Sequence, residues 1–262
     1  MPAEPIIRLA AFGLVLAGLV GWEFIHPKRP RSMPRRSRWP ANLSLVILNT
    51  AAVRVIFPLG AAGVALWASA HGFGLFNLVP TPGALALVVS LLTLDLAIYA
   101  QHVAFHRVPL LWRLHRVHHA DLDVDVTTGV RFHPLEILLS MAIKVALVVL
   151  LGAPALAVVV FEIVLNATSM FNHANVGIPE PVERALRRIV VTPDMHRIHH
   201  SIRREETDSN FGFNLSWWDR LFRTYRPQPR DGQQGATLGL PQFRDARALR
   251  LDRLLLLPMR SD

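Results

Sequence analysis

The sequence predicts an all-α integral membrane protein: four to five transmembrane or re-entrant helices, with a cytosolic helical cap that carries a histidine-rich dimetal site. Three observations predict it. Of 262 residues, 52% are hydrophobic and only 18% charged, which is too apolar for an ordinary soluble domain. The apolar residues gather into long runs. The twelve histidines cluster beside those runs, at spacings that suit metal ions.

The first run, residues 6–25, carries only Arg8 and Glu23 and reaches the roughly 20 residues that a bilayer needs. No small-x-small site precedes Trp22-Glu23-Phe24, so the run reads as a retained helix rather than a cleaved signal. Lys28-Arg29-Pro30-Arg31, then Arg35, Arg36 and Arg38, make a solvated basic loop expected in the cytoplasm. Residues 43–70 form a second run broken by Arg54 and Pro58. An arginine there is costly in lipid and is expected to face the interior or snorkel. Residues 71–82, with alternating proline and glycine, read as a loop on the far side. The third run, 84–100, brings the chain back at His102.

Residues 137–151 and 155–167 are joined by Gly152-Ala153-Pro154. Each is short for a full span at about 1.5 Å per residue, so two tilted spans and a re-entrant hairpin both fit. From Phe171 onward the sequence is polar and basic. Three segments result: an N-terminal helix pair (1–82), a catalytic segment (83–230), and a tail (231–262) whose arginines and four-leucine run suit the membrane surface.

The net charge of +9 is almost all arginine, since Lys28 and Lys144 are the only lysines. A basic balance suits nucleic acid or an anionic membrane surface. The apolar runs decide for the membrane, and no nucleic-acid motif accompanies them. There is no cysteine, which excludes disulfides and thiolate-held metals; any metal must sit on histidine or carboxylate.

Ten of the twelve histidines fall on one predicted face of the membrane. His102 and His106 are an i, i+4 pair, on one side of a helix. His115, His118 and His119 share their spacing with His196, His199 and His200, and positions i, i+3 and i+4 offer three nitrogens to one small volume. Eight imidazoles exceed what one ion with an open position needs, whereas two ions with about four each account for them. Imidazole suits iron, zinc and copper alike. His173, in Asn172-His173-Ala174-Asn175, is a candidate ninth ligand just past a helix. His133 is a possible ligand or a helix-entry residue, while His26 and His71 stand apart. Asp95, two turns before His102 in an apolar run, is the candidate carboxylate to orient that ligand, with a pairing to Arg54 as the plainer reading. Asn172, Asn175 and Asn210 complete the second tier. Only Glu23-Phe24-Ile25-His26 matches the Glu-x-x-His of carboxylate-bridged diiron bundles, so that class fails. A metal-transport or metal-binding membrane protein is the alternative, and it would place ligands along a path within the helices.

At these histidine motifs the sequence resembles the fatty acid hydroxylase (sterol desaturase) superfamily, bacterial sterol-desaturase-like proteins above all. Further matches run through Leu111-Trp112-Arg113-Leu114, Phe132-His133-Pro134, Thr192-Pro193-Asp194-Met195 and Asn210-Phe211-Gly212, over about residues 90 to 226. The resemblance implies a bacterial inner-membrane enzyme whose histidine site faces the cytoplasm. It would hold two non-haem iron ions, with zinc or another divalent metal able to replace them on purification. It would use O2 to hydroxylate or desaturate a lipid: a sterol, fatty acyl chain, ether lipid or carotenoid. No cytochrome b5-like segment is present, so the implied electron donor is separate: a ferredoxin, a cytochrome b5-like protein or a reductase. The lipid is expected to enter between the third run and the 137–167 hairpin. Trp112, Trp217 and Trp218 are candidates for interfacial anchoring or for packing.

Overall fold

Among the described residues, five stretches are helical, apolar and long enough to cross a bilayer. The computed structural model describes residues 4–260. Its long helices are α1 (Glu4–Ile25), α2 (Trp39–Ile56), α3 (Gly60–Ala70), α5 (Gly83–Arg107), α6 (Pro109–His119), α7 (Pro134–Leu151) and α8 (Ala155–His173). One helical turn, α4 (Leu75–Leu78), interrupts the expected loop at 71–82. Short helices build the cap: α9 (Glu180–Leu186), α10 (Pro193–His199), α11 (Arg204–Thr207), α12 (Trp217–Leu221), α13 (Gly232–Gly235) and α14 (Leu251–Leu256). Among the described residues there are no β-strands, only isolated bridges such as Val190–Leu215.

The second apolar run is two helices, because Pro58 lacks the N–H to continue α2 and clashes with the preceding turn. α3 then packs on the α7–α8 hairpin, and α1 lies along α8. The hairpin is set by its caps. His133 Nδ1 accepts from Leu135 N at 3.2 Å ahead of Pro134, and α7 ends at Gly152 with φ 67°, a left-handed conformation that glycine takes without penalty.

Helices α5 and α8 outrun their apolar stretches. α5 continues to Arg107 and α8 to His173, so His102, His106 and His173 stand on the last turns of helices, not beyond them as the hydropathy suggested. Helical propensity carries the chain past the point where lipid contact ends.

The basic loop is only partly solvated. Arg31 and Arg36 are exposed, but Arg38 is wholly buried, with Nε 2.5 Å from Asp121 and Nη1 2.8 Å from Asp125. Burial works against that guanidinium, but the two aspartates outweigh it and push its pKa up. Burial would likewise raise Asp121, yet Arg38 and Arg131 hold it below the usual carboxylate range. The tail also corrects its expected place. Leu254 and Leu257 are buried in a cluster with Ala41, Leu45 and Val117, and Arg116 donates to Leu257 O at 2.6 Å. Leu256 and Met259 remain exposed.

Candidate metal centre

Nine histidines converge under the cap, all of them buried. They form two groups. His102, His106, His115, His119 and His199 make one; His118, His173, His196 and His200 make the other, and within each group the available ligand atoms lie within 4.8 Å of one another. These are the nine positions singled out in the sequence, but each triplet is divided rather than kept whole. His115 and His119 serve the first group while His118 serves the second; His196 and His200 serve the second while His199 serves the first. Helical geometry explains the exchange. Residues i and i+4 nearly eclipse, whereas i+3 points about 100° away from i+4 at 3.6 residues per turn.

Local structure places each ring. α10 begins where Thr192 Oγ1 accepts from Met195 N at 3.3 Å, with Pro193 in its first turn. Five of the nine rings have their Nδ1 atoms tied down by hydrogen bonds. His102 Nδ1 donates to Phe211 O at 2.7 Å, His118 Nδ1 to Arg131 O at 3.1 Å, His173 Nδ1 to Ser169 O at 2.6 Å and His199 Nδ1 to Ser209 O at 2.7 Å. His115 Nδ1 donates to Glu136 Oε1 at 2.7 Å. Each bond fixes the tautomer that leaves Nε2 as a lone pair, the arrangement typical of metal-bound histidine. Aromatic rings close the sleeve: Phe132 stacks on His118 with centroids 4.5 Å apart, and Trp112 lies 5.0 Å from His106 and 5.3 Å from His119.

The donor set fits a cation. Nε2 of His173 lies 3.0 Å from that of His118 and 3.1 Å from that of His196, and Nε2 of His102 lies 3.1 Å from that of His115. Lone pairs facing each other at that range repel unless something positive lies between them. Two nitrogens at about 2.1 Å from one ion and at right angles would be about 3.0 Å apart. The Nε2 atoms of His106, His119, His199 and His200 are buried with no hydrogen-bond partner, a costly state for polar atoms that a metal would relieve. Electrostatics agree. Burial pushes His115 down to about 3. Burial and neighbouring imidazoles hold His118, His119, His196, His199 and His200 well below their ordinary value. They stay neutral, the form that ligates.

A model of the fatty acid hydroxylase family matches residues 87–224. The chain belongs to that family. All nine histidines lie within the family segment. The chain is 33% identical to ornithine lipid hydroxylase OlsE of Rhizobium tropici, over 69% of this chain and 53% of that protein. It is 28% identical to human alkylglycerol monooxygenase over 66% of this chain and 38% of that one, and 26% identical to rat cholesterol 25-hydroxylase over 55% and 47%. It therefore spans about half or less of the curated relatives it matches. No solved structure matches it.

Several second-tier expectations change. Asp95 does not orient His102. Its Oδ2 accepts from Trp218 Nε1 at 2.8 Å and Leu215 N at 3.2 Å, so it clamps the cap to α5 and does not pair with Arg54. Seven residues along a helix is about 10 Å, too far for a direct bond to His102. Two other carboxylates, neither singled out by the sequence, face candidate ligands: Glu136 at 2.7 Å from His115 Nδ1 and, more loosely, Asp208 at 3.5 Å from His106 Nδ1. The signal for Glu136 was a lone acid in the first turn of an apolar helix. His133 caps α7 and donates from Nε2 to Leu255 O at 3.2 Å, outside both groups.

The asparagines act on the backbone. Asn210, at φ 52°, stands between the two carbonyls that orient His199 and His102. Its Nδ2 donates to Met195 O and Arg226 O, at 2.9 and 3.0 Å. Asn172 Nδ2 donates to Phe213 O at 3.0 Å, and Asn175 ties the end of α8 to Arg29 through Arg29 N at 3.1 Å. Of the tryptophans, Trp112 and Trp218 are half-buried, Trp112 against the cluster around Leu45 and Val117 and Trp218 on Asp95. Trp217 is half exposed and donates to Arg188 O at 2.9 Å, so it keeps the anchoring reading.

Proposed function

We propose that the chain is a membrane-bound non-haem diiron oxygenase that hydroxylates or desaturates a lipid, drawing electrons from a separate donor protein. One observation carries this reading: two adjacent groups of inward-facing, neutral imidazoles, the five-histidine one bordering a chamber large enough for a lipid. The chamber has a volume of about 630 Å³, and His102, His115 and Glu136 line it together with apolar side chains. That is the size of a typical ligand pocket. The relatives named above are called lipid hydroxylases and monooxygenases, which supports the same class. Metal-transport chemistry would need ligands along a path, whereas here they gather at one end of the helices.

Bound iron would supply the activation of O2 and the removal of hydrogen from an unactivated C–H bond. The protein does the rest. α5, α6, α8 and α10 hold the imidazoles; the carbonyls of Arg131, Ser169, Ser209 and Phe211 and the Glu136 carboxylate fix their tautomers. Phe105, Phe132 and Phe213 shape the chamber wall and exclude water. That wall supports a wider lipid route than the one expected from the sequence. α1 and α2 contribute Leu9, Phe12, Val46 and Val53, so the lipid lies among α1, α2, α5, α7 and α8 rather than between α5 and the hairpin alone.

The test is metal analysis of purified protein and lipid profiling of cells with and without the gene, followed by oxygen-18 labelling of any product. Two iron ions per chain and 18O in a hydroxylated product are expected. His118→Ala or His199→Ala should abolish turnover and lower bound metal, and full activity in either would overturn the ligand assignment. A cytoplasmic site at a bacterial inner membrane predicts that reporters fused after residues 35 and 226 both report cytoplasm.

A further inference from the structure

The charge distribution around the chamber points to the chemistry of the lipid. Two arginines line it, Arg8 and Arg54, with Asn49, Gln101, Ser140 and Asn166. Arg8 is already neutralised. It lies 2.7 Å from Glu4 and 2.5 Å from Glu162, and Glu162 lies 2.6 Å from Lys144. Two acids and two bases make that network self-balancing. Arg54 has no ion pair or hydrogen bond among the described residues. The remaining chamber carboxylate, Glu136, is committed to His115. Arg54 is exposed at the chamber's edge, on an apolar helix where an unpaired guanidinium is costly in lipid, and its planar fork matches carboxylate or phosphate oxygens.

A second observation shows that the polar end also meets acceptors. Asn49 is 7% exposed, its Nδ2 bonded to Phe132 O at 3.0 Å, and its Oδ1 is buried without a partner; Gln101 Oε1 is also buried and unpartnered. A purely hydrocarbon occupant would leave both amides unsatisfied. A polar end that carries an O–H or N–H donor beside its anionic oxygens would not, because both free amide atoms are acceptors. Depth follows from α2. Phe132 stacks on His118, Asn49 touches Phe132, and Arg54 lies five residues further, about 7.5 Å along the axis.

Taking the oxygenase reading as given, we propose that Arg54 binds an anionic oxygen group of the substrate. The preferred lipid then carries a carboxylate or phosphate on the order of 10 Å from the imidazoles, with its oxidised carbon on the histidine side. A neutral sterol or ether lipid could donate to the amide oxygens but would leave Arg54 without a counter-charge.

The test is binding, read without turnover. Metal-loaded protein in nanodiscs of zwitterionic lipid is titrated with radiolabelled palmitate, hexadecyl phosphate and hexadecanol. Wild type should bind at least one of the two anions about tenfold more tightly than the alcohol, and the tighter anion names the headgroup. In Arg54→Gln the ratio should fall to about one, and Arg54→Lys should keep part of it, with bound metal at the wild-type level in both. Equal affinities in wild type, which need no variant, would overturn the proposal, as would a preference that survives in Arg54→Gln. Oxygenase activity on a neutral lipid with no anion preference would sink this inference alone. Absence of metal or turnover with the preference intact would sink the oxygenase reading and spare the chamber.

Discussion

Glu136→Gln should loosen one of the two bound ions and leave the other in place. The carboxylate is 3% exposed, its Oε1 accepts from His115 Nδ1 at 2.7 Å, and its Oε2 has no partner. The protein's hydrogen-bonding claim on this acid is therefore that single bond to a ligand of the five-histidine group. Glutamine keeps the shape and an acceptor but removes the charge that makes the imidazole a stronger donor to metal. Losing such a partner costs about 10- to 100-fold in metal affinity, or about 1.4–2.7 kcal/mol at 1.36 kcal/mol per tenfold. Glutamine belongs at the lower edge and Glu136→Ala at the upper one, because alanine also frees the ring to turn. The assay is anaerobic titration of metal-free protein with Fe(II), and separately with Zn(II), against a chromophoric chelator. Wild type should bind two ions; the variant should show one unchanged site and one weakened by that factor. Equal weakening of both sites, or of neither, would refute the idea that Glu136 acts through His115.

Three further outcomes follow from named contacts. Gly129→Ala should lower occupancy of the four-histidine group, because a Cβ there would lie 2.3 Å from Ser169 O, the oxygen that orients His173; overpacking of this kind costs roughly 1–3 kcal/mol, and metal analysis should show about one ion per chain. Asp95→Ala should leave metal content unchanged but destabilise the fold by about 1–3 kcal/mol, by stranding the Trp218 indole N–H, which a thermal melt in detergent would register; metal loss would restore a ligand-orienting role. The pH dependence has a definite sign. The cap imidazoles are depressed in the fold and titrate near 6.5 when unfolded, so below that value the unfolded chain binds more protons. Metal-free protein should lose stability as pH falls from about 6.5 toward 5, at up to about 1.4 kcal/mol per pH unit for each such histidine, and bound metal should delay the loss; a flat melting temperature across that range would contradict the buried neutral histidines.

The sequence exposed the parts whose physics is local. Apolar runs located the five membrane-length stretches among the described residues, and the histidine spacing located eight of the nine imidazoles that gather under the cap. What it concealed was tertiary. The acceptors that fix four of the ligands are backbone carbonyls at Arg131, Ser169, Ser209 and Phe211, and a carbonyl belongs to every residue type. Glu136 meets His115 across 21 positions of chain, so no helical stripe connects them. Asp95 lay on the stripe and was misread, since sharing a helical face brings residues together over one turn but not over two. Arg38 looked like one more solvated arginine, and only Asp121 and Asp125, 83 and 87 residues later, reveal it as an interior residue.

That buried arginine makes the N-terminal helices inseparable from the catalytic segment. Glu23 Oε1 receives the backbone N–H groups of Val126 and Asn175 at 2.7 and 2.8 Å, and Arg38 neutralises two aspartates that would otherwise repel each other in a dry interior. An excised fragment limited to the family-matched residues would leave Asp121 with Arg131 alone, 3.5 Å away, and Asp125 without Arg38, in the loop that connects α6 to the Arg131 carbonyl. Work on isolated catalytic pieces of this chain should therefore retain α1 and the start of α2, because the histidine chemistry is braced from outside the segment that contains it.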